Sequence, residues 1–349
     1  MPSTRYPEFT VSGPPRELGR QLGEAAREQI VGFCEAAMAN VNRTVKISRE
    51  AAMRAAANAI PHVEQYAPHI LEELRGTADA AGVTLEDLML LQVRNQLQPE
   101  ESACTSFSIA GAGRTGDIVA QNWDNDPNLD EFTIVLTRRP EGKPALTTVT
   151  QAGLVAYIGF NDAGIGLCLN SLPAPKATAG VPHYFTVREI YESDSLDGAV
   201  QAVRRATRVI PANIMLSTPQ GPADLEVTIN DVHVLTPNGS DKVTHTNHCR
   251  HPELIAINDQ FPELIQSHDR QARIDELLSA ADSVEGAQAA LKDHQGHPRS
   301  ICRHPNDDAE TGAWVTVFSV VIEPRQQRMH LTRGTPCDHP YETYEMGTE

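Results

Sequence analysis

Residues 102–107, with the sequence SACTSF, lie where the pattern of this 349-residue chain changes. Before them, apolar residues recur mostly at three- to five-residue steps, which is typical of helices. After them come short apolar or alternating runs separated by Gly, Asn, Asp or Pro, which are typical of strands joined by turns. Cys104 therefore stands at the start of the first strand. A hairpin that brings Asp124 alongside this thiol could activate it as a nucleophile.

The same patterns predict the elements on both sides of this junction. Upstream, helices are expected over residues 15–42, 49–59 (ending before Pro61), 68–81 and from 85 onward, the last opened by a Thr84–Asp87 capping box. Downstream, the predicted strands cover residues 105–109, 118–121, 132–137, 145–150, 154–160, 164–170, 213–217, 224–229 and 232–235. A helix over 187–205, a helical pair within 271–292 and a hairpin of 314–323 with 328–332 complete the pattern. This order predicts an α+β architecture of sheets covered by helices.

Composition restricts the function. The hydrophobic fraction of 40% supports a sizeable core in one large domain or two smaller ones. A net charge of −17 opposes binding to nucleic acid or to an acidic membrane surface. No segment resembles a signal peptide, and none approaches the roughly 20 apolar residues of a membrane helix. The prediction is a cytoplasmic enzyme that acts on small molecules. Its six scattered cysteines are expected to be reduced.

The residues around Cys104 belong to a longer series of recognisable blocks. The run 103–107 (ACTSF) followed by 121–124 (QNWD) resembles the nucleophile region of the acyl-coenzyme A:6-aminopenicillanic acid acyltransferase family, also called isopenicillin N acyltransferases. Further blocks resemble that family in the same order, at residues 15–19 with Gly23, 159–161, 163–164, 245–249 and 300–303. The resemblance therefore extends over nearly the whole chain.

This resemblance implies a four-layer αββα fold of the N-terminal-nucleophile hydrolases. It also implies a precursor that cleaves itself between Ala103 and Cys104 into a helical segment, residues 1–103, and a catalytic segment, residues 104–349, which stay associated as one structural unit. The family usually has Gly where this chain has Ala103. The extra methyl group is expected to slow the cleavage without abolishing it.

The cleavage would give Cys104 a free α-amine as well as a thiol. An α-amine has a pKa of about 7.7 to 8.0, so roughly a tenth of it is neutral at pH 7. By comparison, only a few per cent of a free thiol is ionised at this pH. The amine can then act as the local general base.

By the same resemblance, Asn247 supplies a side-chain amide to the oxyanion, and Asn161 contributes a backbone donor. Asp124 orients the new ammonium, and Arg303 pairs with a carboxylate in or near the pocket. Uncharged amides suit an oxyanion because they donate without acting as competing bases. From the residues alone, either asparagine could instead be a turn residue, and both charges could lie at the surface.

Two rival interpretations stay open. His245, His248, Cys249 and His251, with Cys302 and His304, have side chains that zinc prefers. Because Asn247 interrupts this run and no C-x-x-C pair accompanies it, no metal is predicted. The second rival, of another class, is an unprocessed binding scaffold without turnover.

The reaction is expected to be cleavage of a linear amide in a small N-acyl compound through an acyl-thioester on Cys104. Water as acceptor gives an amidohydrolase, and an amine or coenzyme A gives an acyltransferase. Hydrolysis is favoured because no coenzyme A motif is visible. No resident cofactor is predicted, with coenzyme A or an acyl-coenzyme A as a possible co-substrate. The expected associations are the small-molecule substrate, the two cleavage fragments with each other, and a homo-oligomer, whose existence the sequence leaves open.

Overall fold

A computed structural model describes residues 3–42, 45–98, 103–111, 116–308 and 312–347. Helices α1 to α5 span Pro15–Ala25, Arg27–Asn42, Arg49–Tyr66, Pro68–Ala81 and Leu85–Leu97.

The predicted capping box is confirmed, because the Thr84 hydroxyl accepts from Asp87 N–H and the Asp87 carboxylate accepts from Thr84 N–H. The predicted break at Pro61 is wrong. Proline removes one backbone donor, but the buried residues Ala59 and Val63 on either side keep α3 packed.

Eight strands form one sheet. In sheet order they are β1 (Glu8–Gly13), β4 (Thr133–Pro140), β5 (Leu146–Gln151), β6 (Ile158–Asn161), β7 (Gly166–Asn170), β8 (Ala212–Thr218), β9 (Gly221–Val227) and β10 (Val232–Leu235). β1 pairs in parallel with β4, and the other neighbours are antiparallel. The strand β1, absent from the sequence prediction, adds a piece of the N-terminal segment to this sheet.

Six strands form the second sheet. Their order is β11 (Lys242–His245), β2 (Cys104–Ile109), β3 (Ile118–Asn125), β12 (Val315–Glu323), β13 (Arg328–Leu331) and β14 (Glu342–Glu345). All of its pairings are antiparallel. The predicted β12–β13 hairpin is confirmed.

The remaining helices complete the layers. They are α6 (His183–Tyr191), α7 (Leu196–Arg204), α8 (Ser267–Leu277) and α9 (Val284–Leu291). The single helix predicted over 187–205 is therefore two, because Ser195 caps a new helix by accepting from Gly198 N–H. α8 and α9 pack on the six-stranded sheet, α1 and α7 contact the eight-stranded sheet, and β2 and β3 face β7 and β8. The order helix, sheet, sheet, helix confirms the predicted αββα arrangement.

The two faces of β2 have different surroundings. Phe107 and Ile109 pack in a cluster with residues of α8 and α9, such as Ile274 and Leu291. Cys104 belongs to the other core, which includes both sheets and the N-terminal helices. This alternation follows from the two-residue period of a strand. It places the thiol between the two sheets. Among the described residues, no helix is long and apolar enough to cross a membrane.

Candidate active site

Cys104 is the first residue of β2 and lies opposite Trp123 on β3. Its side chain is 2% exposed, and Ala103 before it is fully buried. The Trp123 ring stacks on Phe318 and meets Tyr157 edge to face, which closes one side of this region with aromatic surface. In the continuous chain the thiol is thus held in a packed, dry environment.

The peptide bond between Ala103 and Cys104 is held on both sides. The Ala103 carbonyl accepts from Asp124 N–H at 3.1 Å. The Cys104 N–H donates to Asn247 Oδ1 at 3.0 Å. A donor on the carbonyl oxygen stabilises negative charge there, and an acceptor on the nitrogen fixes the orientation of the amide. The structure therefore brings three of the predicted site residues and the predicted cleavage bond together.

Arg270 on α8 is the residue that the sequence analysis missed. Its guanidinium is buried and donates to the Cys104 carbonyl at 2.7 Å and to Asn247 Oδ1 at 2.8 Å. A second bond from Nη1 reaches Thr105 Oγ1 at 3.1 Å. The one signal in the sequence is its spacing from Ile274, four residues later, which puts a charge on the face that the helix buries.

These contacts also fix which way the Asn247 amide points. A guanidinium has donors only, so the atom facing Arg270 must be the amide oxygen. The amide nitrogen then faces the Ser171 carbonyl, to which it donates at 3.0 Å. Since an amide nitrogen carries two hydrogens, one is left for another acceptor.

Asp124 and Arg303 are connected through Thr316 on β12. The Thr316 hydroxyl donates to Asp124 Oδ1 at 2.7 Å and accepts from Arg303 N–H at 3.0 Å. All three residues are buried. Among the described residues, Asp124 Oδ2 has no hydrogen-bond partner. The Arg303 backbone thus lies one hydroxyl group away from Asp124, while its Nε donates to the Trp314 carbonyl at 3.3 Å. The predicted pairing of Arg303 with a carboxylate stays a prediction.

The buried position changes the acidity of both groups. Burial raises the pKa of the Cys104 thiol to about 12, and the Asp124 carboxylate adds to the increase. Burial raises the pKa of Asp124 to about 7, although Arg303, Thr316 and Arg270 pull it downward. In the continuous chain the sulfur is therefore protonated at neutral pH. The Asp124 carboxyl group can exchange a proton in that range.

Asn161 lies apart from this cluster, so the structure does not support its predicted role as a backbone donor. Its N–H donates to Ile165 O at 2.8 Å, and its Nδ2 donates to the carbonyls of Tyr191 and Ser193, each at 2.8 Å. Its Oδ1 accepts from Ile165 N–H at 2.8 Å. With its N–H already bonded, the residue fixes the turn after β6, which was the alternative interpretation.

The rival zinc set is divided among separate places. His245 bonds Glu226 at 2.9 Å, in a buried group with Asp224. His248 Nδ1 bonds Ser267 Oγ at 2.7 Å, and the ring of His251 lies against His233. Cys302 and His304 belong to a further group at another position. The six residues of that hypothesis therefore do not form one site.

Two stacked sheets between helical layers, with a buried cysteine beginning an inner strand, have the αββα arrangement of the N-terminal-nucleophile hydrolase fold. The family model described as "Acyl-coenzyme A:6-aminopenicillanic acid acyl-transferase" matches residues 112–338, well over half of the chain. The chain belongs to this family, as its sequence blocks indicated. It is thus an enzyme of hydrolase or acyltransferase type, which argues against the scaffold hypothesis.

Individual proteins also resemble the chain. It is 26% identical over 344 residues to the 40 kDa form of acyl-coenzyme A:6-aminopenicillanic-acid-acyltransferase of Emericella nidulans, covering 97% of this chain and 95% of that protein. Penicillin V acylase from Agrobacterium tumefaciens is 13% identical, with a TM-score of 0.45 and coverage of 65% of this chain and 82% of that one. A mutant conjugated bile acid hydrolase from Clostridium perfringens is 10% identical, with a TM-score of 0.44 and coverage of 70% and 97%.

Proposed function

We propose that this protein is a self-processing cysteine amidohydrolase that cleaves a linear amide of a small N-acyl compound through an acyl-thioester on Cys104. The observation that carries the proposal is the pair of hydrogen bonds on the Ala103–Cys104 peptide. Asp124 N–H binds its carbonyl oxygen and Asn247 Oδ1 binds its N–H. Such contacts on both sides of one peptide bond suit a bond that is to be broken.

Self-cleavage begins with the Cys104 thiol. The sulfur attacks the Ala103 carbonyl carbon while Asp124 takes up the thiol proton, and the Asp124 N–H stabilises the oxyanion. The C–N bond then breaks, and that proton passes to the leaving nitrogen, so that Ala103 is held as a thioester and Cys104 has an amine. Water cleaves the thioester, leaving a carboxylate on Ala103 and a free thiol on Cys104.

The pH dependence of this first step tests the role of Asp124. If its carboxylate is the base, the rate of self-cleavage should rise with pH and reach half its maximum near pH 7, where its pKa lies. Asp124→Asn should cleave about 100-fold more slowly and lose this inflection. The measurement is the fraction of intact chain over time after cell-free synthesis and transfer to buffers of different pH. An identical inflection in the variant would contradict the assignment.

After cleavage, the same residues would serve the reaction on substrate. The amine of Cys104 stays within reach of Asn247 Oδ1, and the carboxylate oxygen Asp124 Oδ2 is available to its ammonium form. The neutral amine takes the proton of the thiol as the sulfur attacks the substrate carbonyl, then gives it to the leaving nitrogen. The remaining Nδ2 hydrogen of Asn247 is the donor that we assign to the oxyanion.

Arg270 is a positioning residue in this scheme. Lysine keeps the charge but cannot bond the Cys104 carbonyl and Asn247 Oδ1 together as the planar fork does. Arg270→Lys should therefore lower kcat for turnover about 10- to 100-fold, the equivalent of one or two charge-assisted hydrogen bonds, with a smaller effect on KM. The matched control is Arg273→Lys on the same helix, since Arg273 makes its ion pairs at the surface. Equal losses in both variants would argue against the positioning role.

Contacts across the cleavage point support lasting association of the two segments. Strand β1 of the N-terminal segment pairs with β4 of the catalytic segment. Glu73, buried on α4, accepts from Arg138 Nε at 2.6 Å and from Arg188 Nη1 at 2.9 Å. Separating the segments would leave these buried charges unpaired, which is strongly unfavourable. The proposal is that they stay together as one structural unit.

The acceptor of the acyl group decides between two activities of the same site. We propose water, which makes the enzyme a hydrolase. Coenzyme A-dependent acyl transfer is the second candidate, favoured by the relative from Emericella nidulans that is named as such an acyltransferase. In either case a small acyl compound is the substrate.

A panel of N-acyl amino acids, penicillins and other small acyl amides tests the proposal. Each is incubated with the purified enzyme alone, with amine acceptors, and with coenzyme A, using Cys104→Ala as the blank. Release of free carboxylic acid without an added acceptor supports hydrolysis. Products formed only with an amine or coenzyme A would support the transferase instead. Turnover equal to that of the blank on every substrate would contradict both.

A further inference from the structure

Four side chains from two loops converge beside the segment that carries Arg303. They are His294, in the turn after α9, Cys302 and His304 before β12, and Cys337 after β13. Their ligand atoms all lie within 4.8 Å of one another. Cys302 is buried, His304 is partly buried and His294 is exposed, so the group has both a dry side and an opening to solvent.

Four of the six distances between these atoms lie within about 0.4 Å of the edges of a zinc tetrahedron. Zinc bonds of about 2.3 Å to sulfur and about 2.0 to 2.1 Å to nitrogen imply ligand separations of about 3.8 Å for S–S, 3.6 Å for S–N and 3.3 Å for N–N. The two sulfurs of Cys302 and Cys337 are 3.6 Å apart. His304 Nε2 lies 3.8 Å from the first sulfur, 3.2 Å from the second and 3.0 Å from His294 Nε2. A single imidazole nitrogen cannot satisfy three such neighbours by hydrogen bonding alone.

The surroundings hold these ligands in place. Asn122 Nδ2 on β3 donates to the carbonyls of Leu291 at 2.8 Å and Ile301 at 3.0 Å, which pins both ends of the loop that carries His294 and Cys302. The other ring nitrogen of His304 faces a carboxylate oxygen of Asp338 at 3.7 Å. A carboxylate behind a histidine ligand is a frequent outer partner in zinc sites.

We propose that His294, Cys302, His304 and Cys337 bind one zinc ion in a closed Cys2His2 site. Four protein ligands leave no open position, so the ion is structural rather than catalytic. It ties the loop before β12, and with it Arg303, to the loop after β13. This set shares only Cys302 and His304 with the zinc hypothesis of the sequence analysis. The proposal does not depend on the proposed hydrolase activity.

Metal content tests this directly and needs no substrate. Protein produced with zinc in the medium and passed through a desalting column should contain about one zinc per chain by elemental mass spectrometry. Cys337→Ser should lower this below about a tenth of an equivalent. The matched control is Cys249→Ser, which alters a cysteine of the divided set and should keep the full equivalent. Wild type without zinc, or equal zinc in both variants, would overturn the proposal.

Cobalt substitution covers the case in which Cys337→Ser does not fold. Wild-type protein stripped with a chelator and titrated with Co²⁺ should develop thiolate-to-cobalt absorption that saturates at about one equivalent. Absence of that absorption would contradict the site. A disulfide between Cys302 and Cys337, found by peptide mapping of the freshly purified protein without reductant, would also overturn it, because a disulfide offers no thiolates.

Discussion

The Cys104→Ala variant is expected to remain one continuous chain and to lose turnover by about 10⁴-fold or more, the scale of losing a nucleophile from a catalytic group that acts as a unit. The sulfur has two tasks in the proposed scheme, since it first attacks the Ala103 carbonyl and later the substrate. Alanine removes both and leaves the backbone bonds to Asn247 and Arg270 intact. Intact mass and release of free acid from an acyl amide measure the two effects.

Cys249→Ala is the matched control for that variant. Cys249 is equally buried but lies in a separate apolar cluster with Leu172 and Leu254. Its loss should leave both self-cleavage and turnover within a few-fold of wild type. Normal turnover in Cys104→Ala, or equal losses in the two variants, would mean that the nucleophile is elsewhere.

Asn247→Ala is expected to lower turnover about 100-fold or more, the typical effect of removing one oxyanion donor. The side chain occupies a central position, because its oxygen accepts from both Cys104 N–H and Arg270. Truncation also leaves a buried guanidinium donor without its acceptor. Steady-state kinetics on the best substrate, with the cleaved fraction measured in parallel, separates catalysis from processing.

Two further variants make the Asn247 result specific. Asn247→Asp retains an acceptor for Cys104 N–H but supplies no donor to an oxyanion, so it should process more readily than it turns over substrate. Asn258→Ala is the control, because it removes a side-chain amide that bonds the N–H and the carbonyl of Cys249. This variant should leave kcat unchanged. An unchanged turnover number in Asn247→Ala would remove this residue from the site.

The sequence predicted the elements whose patterns are local. The capping box of α5, the helical pair of α8 and α9 and the β12–β13 hairpin each follow from neighbouring residues, and the structure confirms them. The strands β1 and β14 were missed because several residues of each are exposed, so burial gives them little pattern. Their pairing with β4 and β13 comes from tertiary contacts.

The candidate site divides in the same way. The nearness of Cys104 and Asp124 could be predicted from the sequence, because the β2–β3 hairpin places Trp123 opposite Cys104 and Asp124 is the next residue. Arg270 is separated from Cys104 by 166 positions, and only folding places it there. Asn161 was assigned by resemblance, whereas hydrogen bonds to Ile165, Tyr191 and Ser193 give it a local structural role. The position of an asparagine in the sequence cannot show whether its hydrogen bonds fix a turn or whether it faces a nucleophile.

Mass spectrometry of the wild-type protein, before and during turnover, tests the central claim most directly. The predicted result is two polypeptides that meet between Ala103 and Cys104, of which the one beginning at Cys104 gains the mass of the acyl group when the reaction is quenched in acid. An undivided chain of 349 residues that turns over substrate at the full rate, without carrying an acyl group on Cys104, would contradict the account.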